Sequence, residues 1–491
     1  MLRVLLSKKY LSILANKLNS KINTTVNNKI MNARRKFIKK SLVVSSMASM
    51  GMISIPVNAK KLKLKTNKAF SFDWSKMRTL RSNIVKPTFP KRDFIITDFS
   101  AQPNKDNSQA FKEAIAACAA AGGGRVIVPK GIFPSAAIHL KSNVNLHLLA
   151  GAVIKFSTKP ADYLPAVHTR FEGYECMSRS PLIYAYQQKN IAITGEGTLD
   201  GSADHSNWWK MWQATKNGYE DSVSKLAKMS DNNIPLAQRV FEQCSNLRPC
   251  FIEPHSCENI LIEDITIKNA PFWLIHPLMS KNITVTGVTC DSHGPNNDGC
   301  DPESCENVLI EHCTFNTKDD GVSIKSGRNA DGRRIARPSR NIIVANCQMN
   351  TKHTSVAIGS EMSGGVENVF IENLNCSNIQ RVFRIKTNSM RGGFVRNIGL
   401  RNATVETATG SLIDIKTNYG KKTGIFFPTV ENISVSNVSC INAKSAISLV
   451  GTVNIRLRNI SLKYIKVDKS MSRSFYHMVE NLSLENISIG K

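Results

Sequence analysis

A short phrase recurs between residues 143 and 484. It reads Asn, aliphatic, any residue, aliphatic, then a few polar positions and a second, shorter run that alternates apolar with polar. Clear copies are Asn259-Ile260-Leu261-Ile262, Asn307-Val308-Leu309-Ile310, Asn368-Val369-Phe370-Ile371 and Asn432-Ile433-Ser434-Val435. The Asn positions are 143, 190, 259, 282, 307, 341, 368, 397, 432, 454 and 481, and eight of the ten gaps fall between 22 and 35 residues. A near-constant period of that size predicts a solenoid. Its units are β-branched, alternate with period 2 and are bounded by Asn, Gly and Asp, so they are strands; none carries an apolar stripe of helical length. The expected fold is all-β, a single-stranded right-handed parallel β-helix. Each coil turns its Ile, Val and Leu inward and stacks on the next at the strand spacing of ~4.8 Å. An Asn repeated at one corner can hydrogen-bond along the stack and tolerates the left-handed backbone of a tight turn, so these residues read as scaffold.

Two stretches break the pattern. Asp106-Asn107-Ser108 opens a capping helix through Ala110, Phe111, Ala114, Ile115 and Cys118, which Gly122-Gly123-Gly124 stops. That triple glycine follows a helix and precedes a strand, the reverse of a phosphate-binding loop. Residues 202–256 depart from the repeat and carry Trp208, Trp209, Trp212, Arg239 and Arg248. Insertions in a solenoid become loops on one face, often the binding face.

Composition changes the picture in one respect. The chain has 491 residues, 42% hydrophobic and 21% charged, enough for a large folded body, and its net charge of +28 invites a nucleic-acid reading. The distribution argues against it. Residues 1–92 hold 22 Lys and Arg against the single acid Asp73, while the remainder holds 43 against 36. Within the basic stretch, Arg34-Arg35-Lys36-Phe37-Ile38-Lys39-Lys40 precedes an apolar run over 41–56 and the small residues of Val57-Asn58-Ala59. This is the order of a twin-arginine export signal, and the run is too short and Ser-rich to span a membrane. The expected organisation is a signal region over 1–59 (an upstream extension over 1–30, the signal proper over 31–59), a basic linker over 60–92 and the β-helix domain over 93–491. The expected product is a periplasmic or secreted monomer with no nucleic-acid partner and no stable membrane association after the signal is removed. Twelve cysteines show no metal-site spacing. Cys290, Cys313, Cys347, Cys376 and Cys440 fall at similar points of the repeat, which predicts stacked buried thiols.

Carboxylates gather where successive coils meet. Asn297-Asp298-Gly299-Cys300-Asp301-Pro302 precedes Lys318-Asp319-Asp320-Gly321 by about one coil, Asp298 and Asp319 being 21 residues apart. Carboxylates brought that close do not all ionise, and a protonated acid beside ionised ones is what glycosidic cleavage needs. His353 and Arg384-Ile385-Lys386 follow on later coils. An Arg and a Lys two apart on a strand share a face and suit a carboxylate-bearing sugar. Taken singly these motifs are ordinary: an Asp-Asp-Gly is commonly a turn, and an Asp cluster can also ligate calcium. Their ordered succession on consecutive coils distinguishes them.

Asn297-Asp298-Gly299-x-Asp301-Pro302, Asp319-Asp320-Gly321-x-x-Ile324-Lys325-Ser326-Gly327, His353 followed by Ile358-Gly359-Ser360-Glu361, and Arg384-Ile385-Lys386 resemble the signatures of glycoside hydrolase family 28, the polygalacturonases. The resemblance spans about residues 93–491. The 202–256 insertion and Pro271-Phe272-Trp273-Leu274-Ile275-His276 resemble the bacterial exo-acting branch. The resemblance implies Asp319 as general acid, Asp298 and Asp320 as the pair that activates water, and His353 as the histidine that tunes the acid. It implies Arg384 and Lys386 as holders of the substrate carboxylate, with Tyr419, Asn297 and Asp301 as further substrate-binding residues. The family's Gly-His-Gly is Lys352-His353-Thr354 here, and Asn297 stands where Thr is usual. The implied activity is inverting, chain-end hydrolysis of α-1,4-galacturonosidic bonds in a pectic polysaccharide or oligogalacturonide, with no cofactor and no metal. Alternative readings are a hydrolase of rhamnogalacturonan or another decorated pectin, a calcium-dependent pectate lyase, and a non-catalytic carbohydrate-binding β-helix.

Overall fold

The computed structural model describes residues 70–217, 221–242 and 245–491. The expected signal region over 1–59 and the first part of the expected linker lie outside them. From Phe70 onward the stretch expected as a linker is a strap. Helix α1 (Ser75–Asn83) buries Met77, followed by Ile84, against Leu309, Ile343, Ala345 and Phe370 on the outside of the coils. Phe72 and Trp74 stand edge-on to the Phe370 ring at 5.1 and 6.0 Å. Arg81 pairs with Glu311 and Lys86 with Glu263, so part of the basic charge meets acids on the coils.

The expected capping helix is α2 (Ser108–Ala120), which buries Ala110, Phe111, Ala114, Ile115 and Cys118 over the first coils. Gly122, Gly123 and Gly124 then take φ of 86°, 112° and 153°, which ends the helix.

The body is a parallel β-helix whose coils build three stacked sheets. Each interior column is apolar. In the first sheet Ile260 pairs with Ile283, then Val308, Ile342, Val369, Ile398, Ile433, Ile460 and Leu482. In the third, Ile252 is followed by Ile275, Cys300, Val322, Val356, Phe383, Ile413 and Ile447. One continuous core runs from the capping helix to the last coils. In the second sheet Cys290, Cys376 and Cys440 share a column with Phe315, Met349 and Val405 between them, whereas Cys313 and Cys347 sit at the preceding turn. The five thiols therefore form two stacks, not one. All eleven described cysteines are free and buried.

The corner Asn residues form a ladder in which each side-chain amide donates to the carbonyl oxygen of the Asn one coil earlier. Asn282 donates to Asn259 at 3.1 Å, Asn307 to Asn282 at 3.1 Å and Asn341 to Asn307 at 3.1 Å. Each holds the left-handed backbone, with φ of 55° at Asn282 and 58° at Asn307. One rung differs from expectation. Asn459, not Asn454, receives the ladder from Asn481 and passes it to Asn432; Asn454 is exposed in a bend.

Loops that join the coils carry the rest. A hairpin of β1 (Val167–Phe171) and β2 (Tyr174–Ser178), with helix α3 (Ser222–Asp231), lies over the outer face of the third sheet. That sheet continues as β3 (Val322–Ile324), β4 (Thr354–Gly359), β5 (Arg381–Lys386) and the end of β6 (Phe394–Lys416), with helix α4 (Asn329–Ile335) after β3. Among the described residues no helix is long and apolar enough to cross a membrane.

Candidate active site

The acids stand where the coils enter the third sheet. Gly299 N–H donates to the Asp320 carbonyl at 3.0 Å and Gly321 N–H to the Thr354 carbonyl at 2.8 Å, so Asp298, Asp320 and His353 are held on three successive coils. Gly299 is required there: a Cβ would lie 2.2 Å from the Phe315 ring and 2.6 Å from the Gly321 carbonyl. On β5, Val382, Phe383 and Ile385 are buried in the core, while Arg384 and Lys386 face out.

These side chains meet in a cleft of about 260 Å³ lined by Asp298, Asp319, His353, Arg384, Lys386 and Tyr419, together with Lys325, Glu361 and Trp273. The His353 ring nitrogen Nδ1 lies 2.9 Å from Asp319 Oδ1, and that hydrogen bond raises the affinity of the ring for its proton. Asp298 is 3% exposed. Burial first, then repulsion from Asp319 and Asp301, pushes its carboxyl well above the ordinary range. Asp320 goes the other way. Burial works against its charge, but the Lys386 ammonium at 2.8 Å outweighs it and keeps the carboxyl ionised. Asp320 is wholly buried and lies behind the cleft wall; its second oxygen accepts the Thr354 N–H at 3.0 Å. Arg384 Nε lies 3.2 Å from buried Asp414, and its guanidinium sits 5.3 Å from the Tyr419 ring centre.

Two expected substrate-binding residues are not in the cleft. Asn297 is fully buried; its oxygen accepts from Ser292 and Gly294 at 2.7 Å, and its amide donates to the carbonyls of Ala270 and Phe272. Every hydrogen-bonding direction of the side chain is spent on holding the turn before Asp298. Asp301 is also fully buried, 3.4 Å from Lys325. Both are corrected to structural positions.

The 202–256 insertion divides similarly. Trp208 is buried at 5.6 Å from Tyr163, but Trp209 and exposed Trp212 line a second cavity of about 720 Å³ on the other flank of Asp319 and His353. Arg239 is paired with Asp331 at 2.5 Å, and Arg248 donates to the carbonyls of Pro271 and Pro295; both are buried and serve packing. The hairpin tip lines the cleft through Glu172. Glu172 bonds Arg328 at 2.6 Å, and the Arg328 N–H donates to the Gly173 carbonyl at 3.0 Å.

Residues that the sequence reading passed over complete the lining. Lys325 and Glu361 lay inside quoted motifs without a role. Arg328 and Arg391 carried no local signal, because only the fold brings each within 4.0 Å of Glu361.

Two groups of side chains have the composition of metal sites. Asp319, Asp320 and His353 have ligand atoms within 4.8 Å of one another, but both Asp320 oxygens are engaged and the adjacent Lys386 ammonium repels a cation. Cys250, Glu253 and His276 form the second. There His276 spans Glu253 at 3.0 Å and Glu303 at 3.1 Å. Burial opposes its proton, but Cys250, Glu253 and Glu303 outweigh that and raise the ring's affinity for it, with each ring nitrogen facing a carboxylate.

Paired acids beside a histidine and a cationic strand, displayed on the flank of a parallel β-helix, define a carbohydrate-cleaving enzyme of the β-helical class. The family model for glycosyl hydrolases family 28 matches residues 236–485. The chain is 28% identical over 362 residues to a probable polygalacturonase of Vitis vinifera, covering 70% of this chain and 67% of that one. It is 26% identical to the exo-poly-alpha-D-galacturonosidase of Dickeya chrysanthemi, covering 65% of this chain and 55% of the relative. Among solved structures, a hyperthermoactive exopolygalacturonase from Thermotoga maritima superposes with a TM-score of 0.81 at 39% identity, covering 84% of this chain and 96% of that one. The chain belongs to glycosyl hydrolase family 28 and is a glycosidase.

Proposed function

We propose that the protein hydrolyses α-1,4-galacturonosidic bonds of pectic galacturonan from a chain end, with inversion at the anomeric carbon. The observation that carries this reading is the meeting of Asp298, Asp319 and His353 with Arg384 and Lys386 in one cleft. The cations match a uronate carboxylate in charge, and Arg384 adds a planar fork of donors. Asp319, partly exposed and bonded to His353, protonates the leaving oxygen. Asp298 takes a proton from the attacking water, with the fixed negative charge of Asp320 behind it. In the resting cleft burial favours the proton on Asp298, so the reaction requires it to pass to Asp319. The relatives from Dickeya and Thermotoga are named for exo action, and Glu172 at the hairpin tip, held by Arg328 beside the cleft, supports the same mode here.

The test is a product profile on polygalacturonate with proton NMR of the first-formed sugar. Expected are short products from the earliest time and an inverted β-anomer. A ladder of mid-length oligomers at early times would refute chain-end action, and a retained α-anomer would refute inversion. The twin-arginine-like segment further supports action outside the cytoplasm, which cell fractionation of the full chain would check.

A further inference from the structure

We propose that Lys325 is the positioning residue that makes Asp298 available as the base: its ammonium stabilises the Asp298 carboxylate once the proton has passed to Asp319. The inference rests on the reading of Asp298 as base and Asp319 as acid.

Lys325 lies on the floor of the cleft and is 3% exposed. Its one short hydrogen bond goes to Ser323 Oγ at 3.0 Å. Around it stand Asp301 at 3.4 Å, Glu361 at 3.6 Å and Asp298 at 3.8 Å, brought from two different coils, and its Nζ sits 4.4 Å from the centre of the Trp273 ring. Neither buried oxygen of Asp301 has a hydrogen-bond partner. Three carboxylates thus surround the ammonium and none holds it in a tight pair, while Glu361 also faces Arg328 and Arg391 at 4.0 Å. Among the described residues Lys325 is the cation within 4.0 Å of Asp298. The neighbouring cations are committed elsewhere: Lys386 to Asp320, Arg384 to Asp414 and Arg328 to Glu172. Asp298 also faces Asp319, Asp301 and Asp320, all of which disfavour its charge.

The consequence is a balanced proton transfer. Asp298 gives up its proton and Asp319 takes it, with no change of net charge. Removing Lys325 holds the proton more firmly on the base. Removing the competing carboxylate of Asp301 returns more of the ammonium to Asp298 and lifts one repulsion, so the two changes act with opposite sign.

The experiment uses the full chain and reads Asp298 in two ways. One is the titration of its carboxyl by carbon-13 NMR in the resting protein, assigned with Asp298→Asn. The other is the acid limb of the kcat/KM profile on polygalacturonate. Lys325→Met should raise the Asp298 midpoint by roughly 1–3 pH units and move the acid limb upward with it. Lys325→Arg should restore both toward the wild type, and Asp301→Asn should lower both. An unchanged Asp298 titration in folded Lys325→Met, or a shift of the same sign in Asp301→Asn, overturns the proposal. Should Lys325→Met fail to fold, Lys325→Gln is read in its place, with the same expected rise. A wild-type protein that hydrolyses no pectic polymer would defeat the functional reading instead, and the resting titration tells the two failures apart.

Discussion

The asparagine corner and the cleft are stacked from the same coils, but they stack polar groups in opposite ways. At the corner one neutral residue repeats from Asn143 to Asn481, and each rung meets its neighbour at 2.8–3.2 Å. In the cleft no single residue type repeats from coil to coil throughout. Asp298, Asp319, His353 and Arg384 come from successive coils; Asp319 and His353 hold each other, Asp298 faces Lys325 and Arg384 faces Asp414. Repetition makes geometry redundant, because a missing rung leaves its neighbours bonded to the rest of the ladder. A stack of unlike charges has no such reserve, and that is what lets one group act on another.

The contrast breaks most sharply at Asp319. Asp319→Asn should cost about 10²–10⁴ in kcat with no change in melting temperature, because the side chain is partly exposed and the core is untouched. A loss below tenfold on pectic substrate would remove it as the acid. At the corner the effect should fall on stability and leave turnover per folded molecule intact. Asn307→Ala loses both ladder bonds and places Ala at φ 58°, for a total of about 2–4 kcal/mol in denaturant unfolding. Asn307→Gly keeps the backbone and loses only the bonds, so it should cost about 1–2 kcal/mol. Equal costs for the two would show that backbone handedness contributes nothing at the corner. Smallest of all, Glu480→Gln removes an exposed partner of Arg456 and Arg458 and should leave the melting temperature unchanged.

The same contrast explains what could be read from the chain. The ladder and the inward columns were legible because a repeated residue at a repeated spacing has one structural solution. The slip from Asn459 to Asn454 arose where both lie near the expected period and only the register chooses between them. Asp298, Asp319, His353, Arg384 and Lys386 were legible as residues that coil stacking would bring together. Asn297 and Asp301 flank the acid in sequence, but the turn points them inward, and spacing carries no sign of that. Arg239 and Arg248 read as a binding wall, yet their partners, Asp331 and the carbonyls of Pro271 and Pro295, lie 23 to 92 residues away. The strap was hidden for a related reason: its basic composition outweighed Phe72, Trp74 and Met77 until a surface existed for them to cover.

The buried thiols have a consequence of their own. Every described cysteine is unpaired and sealed within the packed interior, so no covalent cross-link among them holds the coils together. The coils can reach their final packing with no oxidant present. The finished molecule should keep its shape in a strong reductant, and alkylating reagents should reach these sulfurs only after it has been unfolded.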